Sequence, residues 1–354
     1  MEEETIPEIK KKSFTKRLVA AVFVALILIG TVVAYTYYKR YFAPNVTDIE
    51  EYVYVRTGSS FEQLMEELGE KNILGDTASF RKAAQNMGYP SRLKPGRYRL
   101  QQGMNNRTLI NMLGGGFQEP VKLRFQNIRL KDQFAGFIAT QIEPDSATLV
   151  ALINSDTLAA KYGFNTDNFF AMFIPNTYEL YWNISANDFF ARMHTEYDKF
   201  WTDERKEKAS AIHLSPIEVS VLASIVKGEA LHVDEMPKIA GLYLNRLSKG
   251  ILLQADPTVI FAANDFTIRR VLNRHLRTDS PYNTYIHKGL PPGPIMMPSI
   301  AAIDAVLNYQ KHDYIYMCAK EDFSGYHNFS TNVAEHLVNA RKFQQALNER
   351  NIKK

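Results

Sequence analysis

The sequence has very little cysteine: Cys318 is the only one among 354 residues. A single thiol cannot form an internal disulfide, so the folded part of the chain must be stable without covalent cross-links. Cys318 lies in the strand-like run 314–319, and we interpret it as a small buried hydrophobic side chain. A cysteine nucleophile would need a neighbouring base, and nothing in the sequence identifies one.

The chain also has little excess of positive over negative charge. The net charge is only +4 with 23% charged residues, and no extended basic stripe follows the N-terminus. Nucleic acid is therefore not expected as a partner, because its phosphates are bound by clustered Lys and Arg. The eight histidines include no H-E-x-x-H motif and no paired ligand spacing, which disfavours a metalloenzyme.

The N-terminal region contains a long apolar run. Residues 18–38 carry no charged side chain and are long enough to cross a hydrocarbon core of about 30 Å as a transmembrane helix. Basic residues are more frequent before the run than after it, which places the N-terminus in the cytoplasm and the rest of the chain outside. The basic residues are Lys10, Lys11, Lys12, Lys16 and Arg17 before it and Lys39 and Arg40 after it.

Four tyrosines near the outer end of this run are typical of an interfacial aromatic belt. They are Tyr35, Tyr37, Tyr38 and Tyr41. A cleaved signal peptide is the alternative interpretation of the run, but its apolar core would be shorter and would end in an A-x-A-like site.

One acidic residue lies on the apolar face of a well-defined helix. Ser215 is a candidate cap, Pro216 fits the first turn, and Glu218 completes a capping box. At about 100° per residue, Glu229 falls on the stripe formed by apolar residues between 217 and 226. Desolvation there would raise the pKa of Glu229 toward neutrality, as a general acid requires. The alternative is a frayed helix end from which the carboxylate reaches water.

Four polar segments follow Glu229, and we predict that they form loops lining a site. They are Gln254-Ala-Asp-Pro-Thr258, Ser280-Pro-Tyr-Asn-Thr-Tyr285, Gly289-Leu-Pro-Pro-Gly-Pro294 and His327-Asn-Phe-Ser-Thr-Asn332. Together with Ser224-Ile-Val-Lys-Gly-Glu229-Ala, they closely resemble the YceG-like family of endolytic murein transglycosylases. The resemblance runs from about Val53 to about Phe343.

The resemblance implies a lytic transglycosylase that cuts nascent peptidoglycan strands internally, with Glu229 as acid and then base. It implies no cofactor, and it implies partnership with peptidoglycan synthases. Relatives commonly carry Glu-Gly where this chain has Phe170-Ala171, and many carry a second Glu at Lys227. Glu229 is therefore the only acid of its motif here.

Several other side chains are candidates for substrate binding. Amides, hydroxyls and a carboxylate could bind sugar hydroxyl and N-acetyl groups, and tyrosine rings could offer flat faces. These residues are Gln254, Asp256, Thr258, Tyr282, Asn283, Tyr285 and Asn332. Asp256 has a structural alternative, since Asp-Pro-Thr also suits a helix start with Asp as the cap.

The expected fold class is α+β. We predict a cytoplasmic N-terminus (1–17), a transmembrane helix (18–38), a tether (39–50), a LysM-like subdomain (51–118), a bridging part of the catalytic region (119–204) and a catalytic domain (205–354). The LysM-like assignment comes from the resemblance and implies glycan contact, although a simple spacer is its alternative. Other functions left open are a noncatalytic membrane-anchored scaffold that binds peptidoglycan and a hydrolytic muramidase.

Overall fold

The computed structural model describes residues 11–47, 51–268 and 270–350. Parts of three predicted segments lie outside the described residues. They are residues 1–10 of the cytoplasmic N-terminus, including Lys10, residues 48–50 of the tether, and residues 269 and 351–354 of the catalytic domain. The described chain forms two compact units, one reaching Pro120 and including Tyr181–Asn183, the other comprising Val121–Leu180 and the chain from Ile184 onward.

Helix α1 (Lys11–Tyr41) contains the predicted apolar run 18–38. Its segment Thr15–Tyr41 is long and apolar enough to cross a membrane. Large apolar side chains along it, such as Phe23 and Leu26, are exposed. The apolar run 18–38 is therefore not packed into the core of the first unit, as expected of a segment whose apolar surroundings would be lipid.

The first unit pairs strand β1 (Tyr52–Val55) antiparallel with β2 (Gly96–Arg99). Helices α2 (Phe61–Glu70), α3 (Thr77–Asn86) and α4 (Asn106–Gly115) complete it, with a 3₁₀ turn at Tyr89–Arg92. A Ser60 capping box starts α2, and its apolar face is buried, at Phe61, Leu64, Met65 and Leu68. Tyr98 is fully buried in the core of this unit. The assignment of the unit as LysM-like stays a prediction.

The second unit is mostly helical with two small antiparallel hairpins. Its strands are β3 (Val121–Arg124) with β4 (Thr177–Leu180), and β5 (Tyr316–Ala319) with β6 (His327–Ser330). Its helices are α5 (Lys131–Ala139), α6 (Ser146–Ile153), α7 (Asp156–Lys161), α8 (Ala186–Phe200), α9 (Asp203–Ala211), α10 (Pro216–Glu229), α11 (Met236–Ser248), α12 (Asp256–Ala262), α13 (Ile300–Leu307) and α14 (Val333–Glu349). Short 3₁₀ turns lie at Phe169–Met172, Val233–Glu235 and His275–Arg277. This mixture of helices and small sheets agrees with the predicted α+β class.

One hydrophobic core runs through the second unit from Leu123 to Leu307. The predicted bridging part, 119–204, therefore shares its core with residues of the predicted catalytic domain. Helix α10 lies at the centre of this core, packed against α11 and α13. Every side chain from Val219 to Val226 on α10 is buried. The prediction of a single apolar stripe on α10 is therefore incomplete, because neighbouring elements cover residues 219–226 on every side of the helix.

Candidate active site

Glu229 is the last residue of α10, and its carboxyl group is held from the neighbouring helix. The Ser215 cap, Pro216 in the first turn and the Glu218 capping box start α10 as predicted. The hydroxyl of Tyr243, on α11, donates a hydrogen bond of 2.7 Å to Oε1 of Glu229. The helix end is therefore not frayed where Glu229 lies, and the carboxyl group has a fixed position.

Burial raises the pKa of Glu229 from 4.5 to about 7. The Tyr243 hydrogen bond lowers the pKa, the nearby Asp256 carboxylate raises it, and a hydrogen bond from the Asp256 backbone lowers it again. Glu229 as a whole is half-buried, but desolvation of the carboxyl group outweighs the other effects. Burial also raises the pKa of Tyr243, so its hydroxyl stays protonated and keeps donating.

Glu229 opens onto a cleft of about 370 Å³. One wall comes from α11 and from the start of α12, and the hairpin β5–β6 supplies another. The residues that line it are Glu229, Leu242, Tyr243, Arg246, Leu253, Gln254, Asp256, Tyr285, Tyr316, Met317, Cys318, Ala319, His327 and His336. Three of the predicted binding residues, Gln254, Asp256 and Tyr285, thus share a cleft with Glu229.

Asp256 lies in the first turn of α12 but does not cap it. Ala255 occupies the cap position, and no side chain makes the capping hydrogen bond. Asp-Pro-Thr does start a helix with the proline in its first turn, but the alternative in which Asp256 is the helix cap is wrong. Its Oδ1 instead accepts a 2.6 Å hydrogen bond from the hydroxyl of Tyr285. Burial, together with this bond to Asp256, raises the pKa of Tyr285.

Gln254 reaches the cleft through an unusual backbone conformation. Its φ is 54°, in the left-handed region that a residue other than glycine rarely adopts. Its backbone N–H donates to the carbonyl of Thr284, and its side-chain Oε1 accepts from Nη2 of Arg246 at 2.6 Å. Because the carbonyl end of the amide is engaged, its NH₂ end is the part left to bind a ligand.

The other predicted binding residues do not line this cleft. Thr258 is fully buried, and its hydroxyl donates to the Ala255 carbonyl at 2.7 Å. Asn283 is fully buried, and its amide donates to the carbonyls of Leu276 and Thr278. These two side chains stabilise the turns around α12.

Two further candidates lie elsewhere on the unit. Tyr282 lines a separate cavity of about 370 Å³ together with Arg129, Lys131 and Phe261. Asn332 is exposed and caps α14 through its side chain, which accepts from the backbone N–H of Glu335. Neither residue lines the cleft that contains Glu229.

Two expectations about local structure are wrong for residues in and around the cleft. Segments 254–258 and 327–332 are not wholly loops, since the first enters α12 and the second forms β6. Cys318 is only half-buried and lines the cleft instead of filling a core. Burial raises the pKa of its thiol, as does Glu321, so the residue is held in its less nucleophilic form.

Sequence reasoning missed several cleft residues because they carry no local pattern. Tyr243 and Arg246 follow the ordinary periodicity of α11, and only the packing of α10 against α11 brings Tyr243 to Glu229. Arg246 is 5% exposed and binds the carbonyls of Leu252 and Ile315 besides Gln254. Its guanidinium thereby ties two segments, residues 252–254 and the residue before β5, to α11 at the cleft wall.

Several known proteins are similar to this chain. The sequence model of the YceG-like family matches residues 53–342. A protein of Bacillus subtilis named endolytic murein transglycosylase is 36% identical over 154 residues, which are 44% of this chain and 41% of that protein. A protein of the same name from Streptococcus pneumoniae serotype 2 is 26% identical over 331 residues, 84% of this chain and 60% of that protein.

A solved structure shows the same relationship. The crystal structure of a YceG-like protein from Listeria monocytogenes superimposes with a TM-score of 0.55 at 25% identity, covering 81% of this chain and 97% of that one. The chain spans only 41% and 60% of the lengths of the two relatives named above. The match to the family model extends through both units and includes the cleft around Glu229, so this chain belongs to the YceG-like family.

Proposed function

We propose that this protein is an endolytic lytic transglycosylase of peptidoglycan, with Glu229 as its single acid and base. The observation that carries the proposal is the position of Glu229, whose carboxyl group lies on the cleft with a pKa raised to about 7. The names of the relatives from Bacillus subtilis and Streptococcus pneumoniae support the same activity.

The reaction needs one group that gives a proton and then takes one back. Protonated Glu229 donates its proton to the oxygen that links N-acetylmuramic acid to N-acetylglucosamine, and the bond from C1 to that oxygen breaks. The Glu229 carboxylate then takes the proton of the muramic 6-hydroxyl while O6 bonds to C1. The products are a 1,6-anhydromuramic end and a free 4-hydroxyl, with no water added.

A raised pKa suits both steps. An acid with a pKa near the working pH is substantially protonated before the reaction and remains a competent base after it. The nucleophile belongs to the substrate, so ring closure is intramolecular and gains an effective concentration on the order of 10⁵ M or more when well oriented. Asp256, the other carboxylate that lines the cleft, is hydrogen-bonded to Tyr285, and this mechanism needs no second carboxylate as a nucleophile.

Substrate contacts are proposed for the polar groups of the cleft. Gln254 would present its NH₂ to a sugar or acetamido oxygen, and Tyr285, fixed by Asp256, would offer a ring face to a pyranose. Thr258 and Asn283 would act by holding the turns that carry these two residues. Tyr282 would contact the glycan outside the cleft, and Asn332 would contact it at the start of α14.

We further propose that α1 anchors the protein in the cytoplasmic membrane with its N-terminus inside, so that the second unit meets nascent strands outside. The absence of charge between residues 18 and 38 and the excess of basic residues before them support this arrangement. A partnership with peptidoglycan synthases would follow from acting on nascent strands.

The test is mass spectrometry of peptidoglycan digested by the purified full-length protein and by Glu229→Gln. Internal fragments with 1,6-anhydromuramic ends, absent with the variant, are expected. Glu218→Gln is the matched control, because it lies on the same helix and its amide oxygen can keep the capping hydrogen bond. Reducing ends would mean a hydrolase instead, and intact glycan with both proteins would favour a binding scaffold.

A further inference from the structure

A buried carboxylate and a histidine form a closely fitted pair beside the cleft. Glu235 ends the 3₁₀ turn Val233–Glu235 and is 6% exposed. Its Oε1 accepts the backbone N–H of His327 at 2.8 Å, and its Oε2 lies 2.8 Å from Nδ1 of the same residue. Both oxygens of Glu235 therefore bind a single residue, at the start of β6.

This arrangement fixes the tautomer of the neutral imidazole ring. A carboxylate can only accept, so the ring must carry its proton on Nδ1 to make the bond. In the neutral ring, Nε2 then has a free lone pair. Such carboxylate–histidine pairs set both the orientation and the tautomer of a ring whose other nitrogen does the binding.

The second ring nitrogen is available to a ligand. His327 lines the same cleft as Glu229. Within the described part of the chain, Nε2 makes no hydrogen bond, and it is not among the enclosed polar atoms that lack a partner. Nε2 is therefore an accessible acceptor in the cleft that also contains Glu229.

We propose that His327 binds the glycan directly, through a hydrogen bond that Nε2 accepts from a sugar hydroxyl, and that Glu235 is the positioning residue that keeps Nε2 in its accepting form. The proposal rests on the proposed function for the identity of the ligand. A purely structural role, in which the pair only docks hairpin β5–β6, would need the Nδ1 donor and the backbone bond but not Nε2. The two roles can therefore be separated by substitution.

The substitution His327→Asn separates the binding role of His327 from a purely structural role. The Asn side chain can place an N–H donor near the position of Nδ1, so the bond to Glu235 can persist, while the Nε2 acceptor is lost. Binding of a soluble, uncrosslinked glycan oligomer would be measured by calorimetry in the full-length protein carrying Glu229→Gln, so that turnover does not interfere. We expect about a tenfold loss of affinity, equivalent to about 1.4 kcal/mol, with an unchanged melting temperature.

Glu235→Gln is the second variant. Its carbonyl can still accept the His327 backbone N–H, but its NH₂ would donate to Nδ1 and move the ring proton to Nε2. The ¹⁵N chemical shifts of His327 report this change of tautomer, which a merely structural role would not require. A similar loss of affinity is expected, because Nε2 becomes a donor. His232→Asn is the control, because His232 stacks on Tyr326 at 4.0 Å in the same region but does not line the cleft.

The outcomes distinguish the two proposals. If folded His327→Asn binds glycan as tightly as its parent, or if Glu235→Gln switches the tautomer without changing affinity, His327 is not a binding residue, whatever the wild-type protein produces. If the wild-type protein releases no anhydro ends but His327→Asn still weakens binding, the transglycosylase proposal fails and the role of His327 stands.

Discussion

At the scale of single residues, the chemistry of Glu229 depends on a balance among its neighbours. Withdrawal from water favours the protonated carboxyl group, whereas the Tyr243 hydroxyl favours the carboxylate by donating to it. Asp256 acts against ionisation through its negative charge. Substitutions that change this balance should therefore alter the activity, the stability and the pH dependence of both.

Activity should fall on the alkaline side of neutrality. Glu229 must be protonated to start the proposed reaction, and its pKa is about 7. We expect kcat/KM to decrease about tenfold per pH unit above that value, as for any essential acid. Initial rates with a soluble glycan between pH 5 and 9 would measure the profile, and a flat profile from pH 6 to 9 would remove Glu229 from the role of acid.

Two substitutions should shift the pH at which kcat/KM begins to fall, and they should shift it in opposite directions. Tyr243→Phe removes a hydrogen bond to the carboxylate, so the pKa of Glu229 should rise and activity should persist to higher pH. Asp256→Asn removes a negative charge, so the pKa should fall and activity should be lost at lower pH. The same kcat/KM profiles measure both shifts. Shifts of the same sign in the two variants would contradict this account of the cleft.

The raised pKa also makes Glu229 costly to the fold when it is ionised. Between the unfolded value of 4.5 and the folded value of about 7, the folded state binds more protons than the unfolded one, so stability should fall as pH rises through this window. Glu229→Gln should remove that dependence and stabilise the protein above pH 7, on the order of 3 kcal/mol. Urea unfolding of both proteins at pH 5 and pH 8 tests this, and an equal or lower stability of the variant at pH 8 would contradict it.

At the scale of elements, the close packing of α10 against the start of α12 brings the Glu229 and Asp256 carboxyl groups near each other. Gly228 precedes Glu229 on α10, and a Cβ atom built there would lie 2.8 Å from Cβ and 3.0 Å from Cγ of Pro257. The proline ring is rigid, so it cannot yield by changing rotamer. A glycine at this position lets the two helix ends approach each other.

Gly228→Ala should therefore separate these helix ends and impair the cleft. We expect kcat/KM to fall at least tenfold, because small displacements in an active site weaken catalysis strongly. A destabilisation of about 1–3 kcal/mol should accompany the fall, as is usual for overpacking. Activity assays and urea unfolding measure the two effects.

Gly136→Ala, in the middle of α5, is the matched control. A Cβ there meets nothing within 4 Å, so alanine should keep activity and stabilise the helix by up to about 1 kcal/mol. Equal activities of the two glycine variants would show that the contact between Gly228 and Pro257 does not position the cleft.

At the scale of the whole molecule, the chain combines a long apolar helix with two units that have separate hydrophobic cores. The units need no disulfide, since Cys318 is the only cysteine. The proposed cleft chemistry uses residues of the second unit alone. Anchoring and catalysis should therefore be separable.

We expect the full chain to remain in the membrane fraction after a carbonate wash and to require detergent for release. A variant lacking residues 11–41 should be released without detergent and should keep its rate on a soluble glycan. Intact mass of the isolated full-length protein distinguishes an anchor from a cleaved signal peptide, because cleavage would remove the apolar run. Release of the full chain by carbonate would contradict the membrane anchor.

The sequence by itself determined the features that depend on neighbours along the chain. The capped start of α10, the apolar face of α2 and the apolar run of α1 follow from capping, periodicity and length, which are local properties. Glu229 could be singled out because an acid within an apolar helix pattern is unusual, and the family motifs around it could be read directly.

Only the tertiary structure decided which side chains share the cleft with Glu229. Tyr243 and His327 come to it from α11 and β6, and Glu235 fixes His327 from a turn that lies 92 residues earlier. Thr258 and Asn283, which looked equally suitable in sequence, are enclosed by the turns they stabilise. The reason is physical: burial, and with it the pKa and accessibility of a polar group, is set by the atoms packed around it, and most of those atoms come from distant parts of the chain.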